Sequence, residues 1–165
     1  MKINIIALIG VAIIPILAGC AMTPVTLDPV GPAPVKPTAY VPTGWLRVYT
    51  ATDAHEIGDN TYYYTHTGYH IYKEDGQLWK YIANHTGDLD ESVTTVQIPQ
   101  GNYRISAHSE AYNLVSVPVV IRATKTTEVH LGTYWKAPPN AATNELVYFP
   151  GRNTCPVGWK SSLTK

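Results

Sequence analysis

Apolar and polar residues alternate with a period of two through most of the chain after residue 45. This alternation puts successive side chains on opposite faces of a strand, so it predicts antiparallel sheets with one buried face. Turn residues separate the alternating segments at short intervals. The predicted strands are 45–50, 69–73, 78–83, 93–98, 103–108, 115–122 and 126–131. The predicted fold is therefore all-β, a single antiparallel β-sandwich of about seven strands.

A hairpin is predicted where Asp75-Gly76 separates two of these strands, because this pair is preferred in two-residue type I′ turns. With that turn, Tyr72 faces Trp79 and His70 faces Tyr81 across the hairpin. One face of the hairpin then carries His70, Tyr72, Trp79 and Tyr81. The opposite face carries Tyr69, Ile71, Leu78 and Ile82.

The later strands have equally regular inward positions. The side chains predicted to face inward are Tyr103, Ile105, Ala107, Val115, Val117, Val119, Ile121, Val129 and Leu131. Pro118 lies on the outward parity and has no N–H to donate. It therefore predicts that its strand is an edge strand or contains a bulge.

The N-terminus has the pattern of an export signal. Lys2 precedes an uncharged run from Ile5 to Ala18. This run of about 14 residues is shorter than the roughly 20 that a membrane-spanning helix needs, and Pro15 disfavours a continuous helix. Residues 1–19 are therefore predicted to be a signal peptide rather than a permanent membrane span.

Residues 20–44 are rich in proline and poor in large apolar side chains. Such a segment cannot bury enough surface to fold alone, and we expect a disordered, semi-stiff tether with a reach of up to about 70 Å. The alternative is a proline-rich ligand for a partner domain, since Pro29-Val30-Gly31-Pro32 fits the PxxP pattern. The tether interpretation is favoured, because an anchored domain needs a spacer.

The four residues Leu17-Ala18-Gly19-Cys20 resemble the lipobox of bacterial lipoproteins at every position. The resemblance implies cleavage before Cys20 and modification of its thiol and amino group with fatty acyl chains such as palmitate. Several acyl chains would anchor the protein stably to a membrane. Ala21 stands where Gram-negative lipoproteins retained at the inner membrane have Asp, so in a Gram-negative cell the resemblance implies the outer membrane of the cell envelope.

Residues 95–105 resemble the strand–turn–strand motif of carboxypeptidase-regulatory-like and PEGA-like domains, which have a prealbumin-like sandwich fold. Ala111-Tyr112 and residues 125–131 extend the resemblance, whereas the insertion around 52–68 has no counterpart in the family. The resemblance implies a domain over 45–134 that is typically non-catalytic and serves as a spacer, adhesive or binding module. Residues 135–165 would then form a linker and a small C-terminal hairpin or tail.

Composition and motifs exclude several functions. Acidic and basic residues balance at 12 each, and no Lys/Arg cluster is present, so nucleic acid is not a predicted partner. The chain has no nucleophile elbow and no phosphate-binding loop, and its histidines lack metal-site spacing. We therefore predict no enzymatic activity, no cofactor and no metal. Lipidation of Cys20 would also leave Cys155 without an intrachain disulfide partner.

The favoured interpretation is a membrane-anchored envelope lipoprotein with a structural or protein-interaction role. The alternative is a module that binds peptidoglycan or another envelope polysaccharide through an exposed aromatic face. The candidate side chains for a glycan or protein partner are His70, Tyr72, Trp79 and Tyr81, with Asn84 and His85 as further hydrogen-bonding groups. Burial of the same rings in the core is the structural alternative.

Overall fold

The computed structural model describes residues 25–32 and 42–160, which form twelve strands and one short 3₁₀ helix, Thr143–Glu145. The strands are β1 (Val25–Thr26), β2 (Thr43–Tyr49), β3 (Thr52–Glu56), β4 (Tyr62–His66), β5 (Tyr69–Lys73), β6 (Leu78–Ile82), β7 (Val96–Pro99), β8 (Gly101–His108), β9 (Leu114–Ile121), β10 (Thr126–His130), β11 (Leu146–Phe149) and β12 (Arg152–Trp159). No α-helix occurs in these two segments, and the predicted all-β class is confirmed.

Two larger sheets and two hairpins make up the domain. The first sheet has five strands in the order β1-β9-β8-β5-β6, and the second has three in the order β10-β2-β7. The pairs β3-β4 and β11-β12 form separate two-stranded sheets. Neighbours run antiparallel except in the pairs β1-β9 and β2-β10, which run parallel. The described residues thus form twelve strands in four sheets, more than the seven strands predicted, and each predicted strand has a counterpart.

The buried faces of the two larger sheets share one hydrophobic core. Strands β5, β8 and β9 contribute alternate residues to it, as period two requires. The fully buried members include Leu46, Val48, Tyr69, Ile71, Ile105, Val115, Val117, Ile121 and Leu131. Tyr103 lies at the rim of this core and is half-buried, while the other residues predicted to face inward from β8 onwards are buried.

The turn between β5 and β6 is one residue longer than predicted. The amide of Gly76 donates to the Lys73 carbonyl, and the amide of Lys73 donates to the Gln77 carbonyl. This geometry is a three-residue loop that ends in a left-handed residue, and Gly76 takes that position with φ of 84°. The longer loop shifts the pairing of the adjacent residues by one, so Tyr72 pairs with Leu78.

Part of the segment predicted to be a tether is folded. Strand β1 pairs with β9, the Leu27 amide donates to the Ser116 carbonyl, and the Val30 amide donates to the Pro118 carbonyl. Leu27 and Val30 are both buried in the core. A short proline-rich segment can therefore be held by a neighbouring strand although it cannot fold alone. Residues 20–24 and 33–41 of that segment lie outside the described residues.

The same contact corrects the prediction for Pro118. Strand β9 lies between β8 and β1 and is not an edge strand. The carbonyl of Pro118 accepts from Val30, so its missing N–H would point toward the same segment. Residues 27–29 of that segment are not in regular strand pairing with β9, so the pairing does not require a hydrogen-bond donor from Pro118.

The C-terminal residues complete the core. Val147, Phe149 and Val157 from the hairpin β11-β12 belong to the core cluster. The amide of Gly31 donates to the Trp159 carbonyl, so β12 also contacts the folded N-terminal segment. Residues Val30 and Gly31 therefore lie beside the end of β12.

Candidate functional site

The outer face of the five-stranded sheet carries three of the four predicted site residues. His70 is opposite Tyr81 on β6 and opposite Ser106 on β8. Tyr72 is opposite Arg104 on β8. The side chain of Tyr81 is 55% exposed, and His70 is exposed as well. We refer to His70, Tyr72, Tyr81 and Arg104 as the sheet patch.

Trp79 does not join the sheet patch. Tyr72 pairs with Leu78 and Ile71 pairs with Lys80, so Trp79 is the extra residue of a β-bulge. The longer loop reverses the faces of Leu78 and Trp79, and the bulge restores the predicted pairing beyond them. Leu78 is 52% exposed, whereas Trp79 packs at the margin of the core, 6.1 Å from the Tyr103 ring. The predicted faces of Leu78 and Trp79 are both wrong for this reason.

The rings of the sheet patch are close together but not coplanar. The His70 ring lies 5.0 Å from that of Tyr81 at an interplanar angle of 49°, and 6.3 Å from that of Tyr72 at 36°. The guanidinium of Arg104 lies over the Tyr72 ring, 5.4 Å from its centre, in cation–π geometry. The patch therefore presents tilted aromatic edges and a cation rather than one flat aromatic surface.

Asn84 has a structural role. Its side chain is fully buried, and its amide nitrogen donates to the Val48 carbonyl at 2.9 Å, the Thr67 carbonyl at 3.2 Å and the Thr50 hydroxyl at 3.2 Å. The Thr94 amide donates to its side-chain oxygen. Asn84 thus joins several loops and is not available to a ligand, in contrast to its expected role. His85 Nδ1 lies 3.2 Å from the nearby carbonyl of Gly87.

The remaining histidines are dispersed. His66 Nδ1 lies 2.8 Å from the Thr50 carbonyl, and His108 Nδ1 lies 3.1 Å from Asn113 Oδ1. Throughout residues 25–32 and 42–160, no three His, Cys, Asp or Glu side chains converge in a metal-binding arrangement. Cys155 is a half-buried free thiol, and Cys20 lies outside the described residues.

A second site, which the sequence did not reveal, lies on the outer face of the three-stranded sheet. The parallel pairing of β2 with β10 places Tyr49 opposite His130. Their rings stack at 4.4 Å and 9°, and Trp135 stacks on the other side of His130 at 4.0 Å and 1°. His130 is thus enclosed between two aromatic rings, and burial lowers its pKa to about 4. Its imidazole is neutral at physiological pH.

Two glutamates lie beside this stack. Glu128 Oε2 is 3.9 Å from His130 Nε2, and its Oε1 is 3.5 Å from Arg47 Nη1. Glu110 Oε2 accepts hydrogen bonds from the amide and the hydroxyl of Thr133, both at 2.9 Å. These bonds fix the Glu110 carboxylate in place.

These groups line two adjacent cavities. One cavity of about 520 Å³ is lined by Tyr49, Thr50, His66, Glu110, Glu128, His130, Gly132, Tyr134 and Trp135. An adjoining cavity of about 750 Å³ is lined by Thr52, Tyr64, Glu110, Thr133 and Tyr134. Glu110 and Tyr134 border both cavities, which are therefore adjacent. We refer to the two cavities together as the stacking groove.

Comparisons with known proteins do not assign a family. No protein-family model matches the chain. No curated protein and no solved structure is significantly similar to it. In the part of the chain that the structure describes, no helix has the length and apolar character needed to cross a membrane. The function is therefore argued from the residues and their geometry.

Proposed function

We propose that this protein is a lipoprotein of the bacterial cell envelope whose all-β domain is a non-catalytic module that binds a protein partner through the sheet patch. The anchor would be Cys20, because Leu17-Ala18-Gly19-Cys20 resembles a lipobox and follows a short apolar run. Several acyl chains on one cysteine suffice for stable membrane attachment. In a Gram-negative cell we assign the outer membrane, because Ala21 and not Asp follows the cysteine.

We further propose that the domain is a β-sandwich of the carboxypeptidase-regulatory-like kind. The motif at residues 95–105 supports this assignment, and so does the core shared by the two larger sheets. Members of that family are typically spacers, adhesive modules or binding modules. The sequence also has none of the nucleophile or phosphate-loop motifs that would favour catalysis.

The observation that carries the binding role is the composition and geometry of the sheet patch. Tyr and Arg are enriched in the energetically dominant centres of protein interfaces, where large side chains combine apolar area with hydrogen-bonding groups. The patch offers Arg104 stacked on Tyr72 and the exposed ring of Tyr81. All of them project from paired strands, so little backbone ordering is needed when a partner binds.

Glycan binding by this same face is the weaker alternative. A sugar ring stacks on a flat, uncovered aromatic face. Arg104 covers a face of Tyr72, the His70 and Tyr81 rings are tilted by 49°, and Trp79 points toward the core. This arrangement favours a protein surface over a polysaccharide.

The anchor can be tested by metabolic labelling of cells with a palmitate analogue. We expect the wild-type protein to take up the label and Cys20→Ala to lose it. Cys155→Ala is the matched control and should stay labelled, because a half-buried thiol in the folded domain is not part of the lipobox. Undiminished labelling of Cys20→Ala would refute the assignment of the anchor.

The partner face can be tested by placing a photo-crosslinking amino acid at position 81 or at position 89 of the full chain in cells. Tyr81 and Leu89 are matched in exposure at 55% and 54%, but Leu89 lies in the loop after β6 and is not part of the patch. We expect a discrete protein adduct from position 81 only, and its loss when Arg104→Ala is added. Equal adducts from both positions, or an adduct at position 81 that only glycan hydrolases remove, would contradict the proposal.

A further inference from the structure

We propose that the stacking groove is a second binding site and that its ligand is an uncharged oligosaccharide. The groove lies on the outer face of the three-stranded sheet, so the shared core separates it from the sheet patch. The inference does not depend on the proposed protein partner, because the two sites have no residue in common.

The charges in the groove define the class of ligand. Glu110 and Glu128 contribute carboxylates, and no lysine or arginine is among the described side chains that line either cavity. Arg47 pairs with Glu128 from outside the lining, so Glu110 is the uncompensated carboxylate of the groove. Carboxylates only accept hydrogen bonds, so a ligand must supply donors. Sugar hydroxyls are such donors, whereas phosphate or uronate groups would be repelled.

The aromatic geometry favours a sugar over a small cation. A cage for an ammonium ion needs several ring faces directed at one point. Here Tyr49, His130 and Trp135 are nearly parallel, and both faces of His130 are already covered. What the stack offers is its terminal ring, Trp135, which is half-buried. A flat ring of this kind matches the apolar C–H face of a pyranose.

Further exposed rings extend the groove beyond one sugar. Tyr134 is 85% exposed at the junction of the two cavities, and Tyr64 is half-exposed at the far end. Cavities of about 520 and 750 Å³ each fall in the range of roughly 300–1,000 Å³ that is typical of small-ligand sites. Because the two cavities are adjacent, neighbouring units of one sugar chain can occupy them.

Glu110 is positioned before a ligand arrives. Its backbone amide donates to the Leu131 carbonyl at 3.1 Å, and its carboxylate accepts the two bonds from Thr133. An acceptor that is held in place loses little conformational freedom on binding, which favours affinity for a matching hydroxyl. We therefore assign Glu110 the central hydrogen bond at the junction of the cavities.

The test is isothermal titration calorimetry on the full chain in a polyoxyethylene detergent, which contains no sugar and no cation. The uncharged probes are the tetrasaccharides of cellulose, chitin, starch and laminarin. Tetragalacturonate is the anionic probe and tetramethylammonium the cationic one. We expect at least one uncharged tetrasaccharide to bind with a Kd on the order of millimolar or tighter, and neither charged probe to bind comparably.

Variants connect the binding to the groove. Trp135→Ala should weaken binding about tenfold, since it removes the terminal ring of the stack. Glu110→Gln preserves the shape of the side chain and should weaken binding severalfold. If Trp135→Ala does not fold, this variant alone tests whether the sugar binds in the groove. Trp45→Ala removes a tryptophan that does not line either cavity and should bind as the wild type does.

Three results would overturn the inference. The first is that no uncharged tetrasaccharide binds. The second is that tetragalacturonate or tetramethylammonium binds as tightly as the best uncharged probe, which would make the groove an anion or cation site. The third is that folded Glu110→Gln and Trp135→Ala bind the sugar as tightly as the wild type.

Discussion

The neutral state of His130 predicts a specific sensitivity of the fold to acid. Burial between Tyr49 and Trp135 lowers the pKa of His130 to about 4, while an unfolded chain has the ordinary value of about 6.5. Between these two pH values the unfolded state binds more protons than the folded state. The stabilisation is therefore fully present above about pH 6.5 and is lost as the pH falls toward 4.

The size of the effect follows from the separation of the two pKa values. Each unit corresponds to about 1.4 kcal/mol, so the complete loss below pH 4 is about 3 kcal/mol. Between pH 7.5 and pH 5 the loss from this one group is about 2 kcal/mol. That is a large share of the 5–15 kcal/mol by which domains are typically stable.

Urea unfolding of wild type and His130→Phe at pH 7.5 and pH 5 measures this loss. Phenylalanine keeps a ring in the stack but cannot be protonated, and the other titrating groups are common to both proteins. The free energy of unfolding of the wild type should fall by about 2 kcal/mol more than that of the variant. An NMR titration of the His130 ring provides an independent value. Equal falls in both proteins, or a folded-state midpoint at or above 6.5, would refute the explanation.

Three further substitutions test the packing by urea unfolding. A methyl group at Gly158 would overlap the Val30 side chain and lie 3.0 Å from the Glu128 carbonyl, so Gly158→Ala should cost about 1–3 kcal/mol. Its cost should be smaller in a Val30→Ala background, and strict additivity would contradict the contact. Asn84 has φ of 62°, a left-handed backbone conformation that alanine disfavours by about 1–2 kcal/mol and glycine does not. Asn84→Ala should therefore lower the free energy of unfolding through this strain and through the lost side-chain hydrogen bonds, whereas Asn84→Gly should lower it only through the lost bonds. Equal losses in the two variants would exclude backbone strain. The Tyr69 hydroxyl is buried without a hydrogen-bond partner among the described residues, so Tyr69→Phe should leave the protein at least as stable, and a loss above about 1 kcal/mol would show an overlooked partner.

Local alternation was sufficient to predict every strand of the two larger sheets except β1, which lies in the segment predicted to be a tether. In β9, four inward residues at every second position are buried, which is the simplest consequence of period two. In the hairpin β5-β6, alternation alone does not predict the loop length or the position of a bulge. Its loop is one residue longer than predicted and Trp79 forms a bulge, so the two irregularities cancel, and His70 still pairs with Tyr81. A bulge changes the face of a side chain without changing the alternation of the surrounding residues.

The stacking groove could not be predicted because it depends on contacts between distant residues. Tyr49 and His130 meet only through the parallel pairing of β2 with β10, and parallel pairing leaves no local turn signal. Trp135 was assigned to a linker, since no periodic pattern surrounds it. The hairpin β3-β4 was also missed, although Asp59 and Asn60, both with positive φ, form the kind of turn that Asn and Asp tolerate.

The folded segment at Val25–Pro32 changes how far the domain can stand from a membrane. If Cys20 carries the lipid, as proposed, only five peptide units separate it from Val25, the first residue of β1. A fully extended chain of that length spans about 17 Å, compared with the roughly 70 Å expected of a free tether. The β1 edge of the five-stranded sheet would then lie within about 17 Å of the lipid headgroups. A force applied to the lipid anchor would act first on the hydrogen bonds between β1 and β9. The domain would therefore be held close to the membrane surface and not at the end of a long tether.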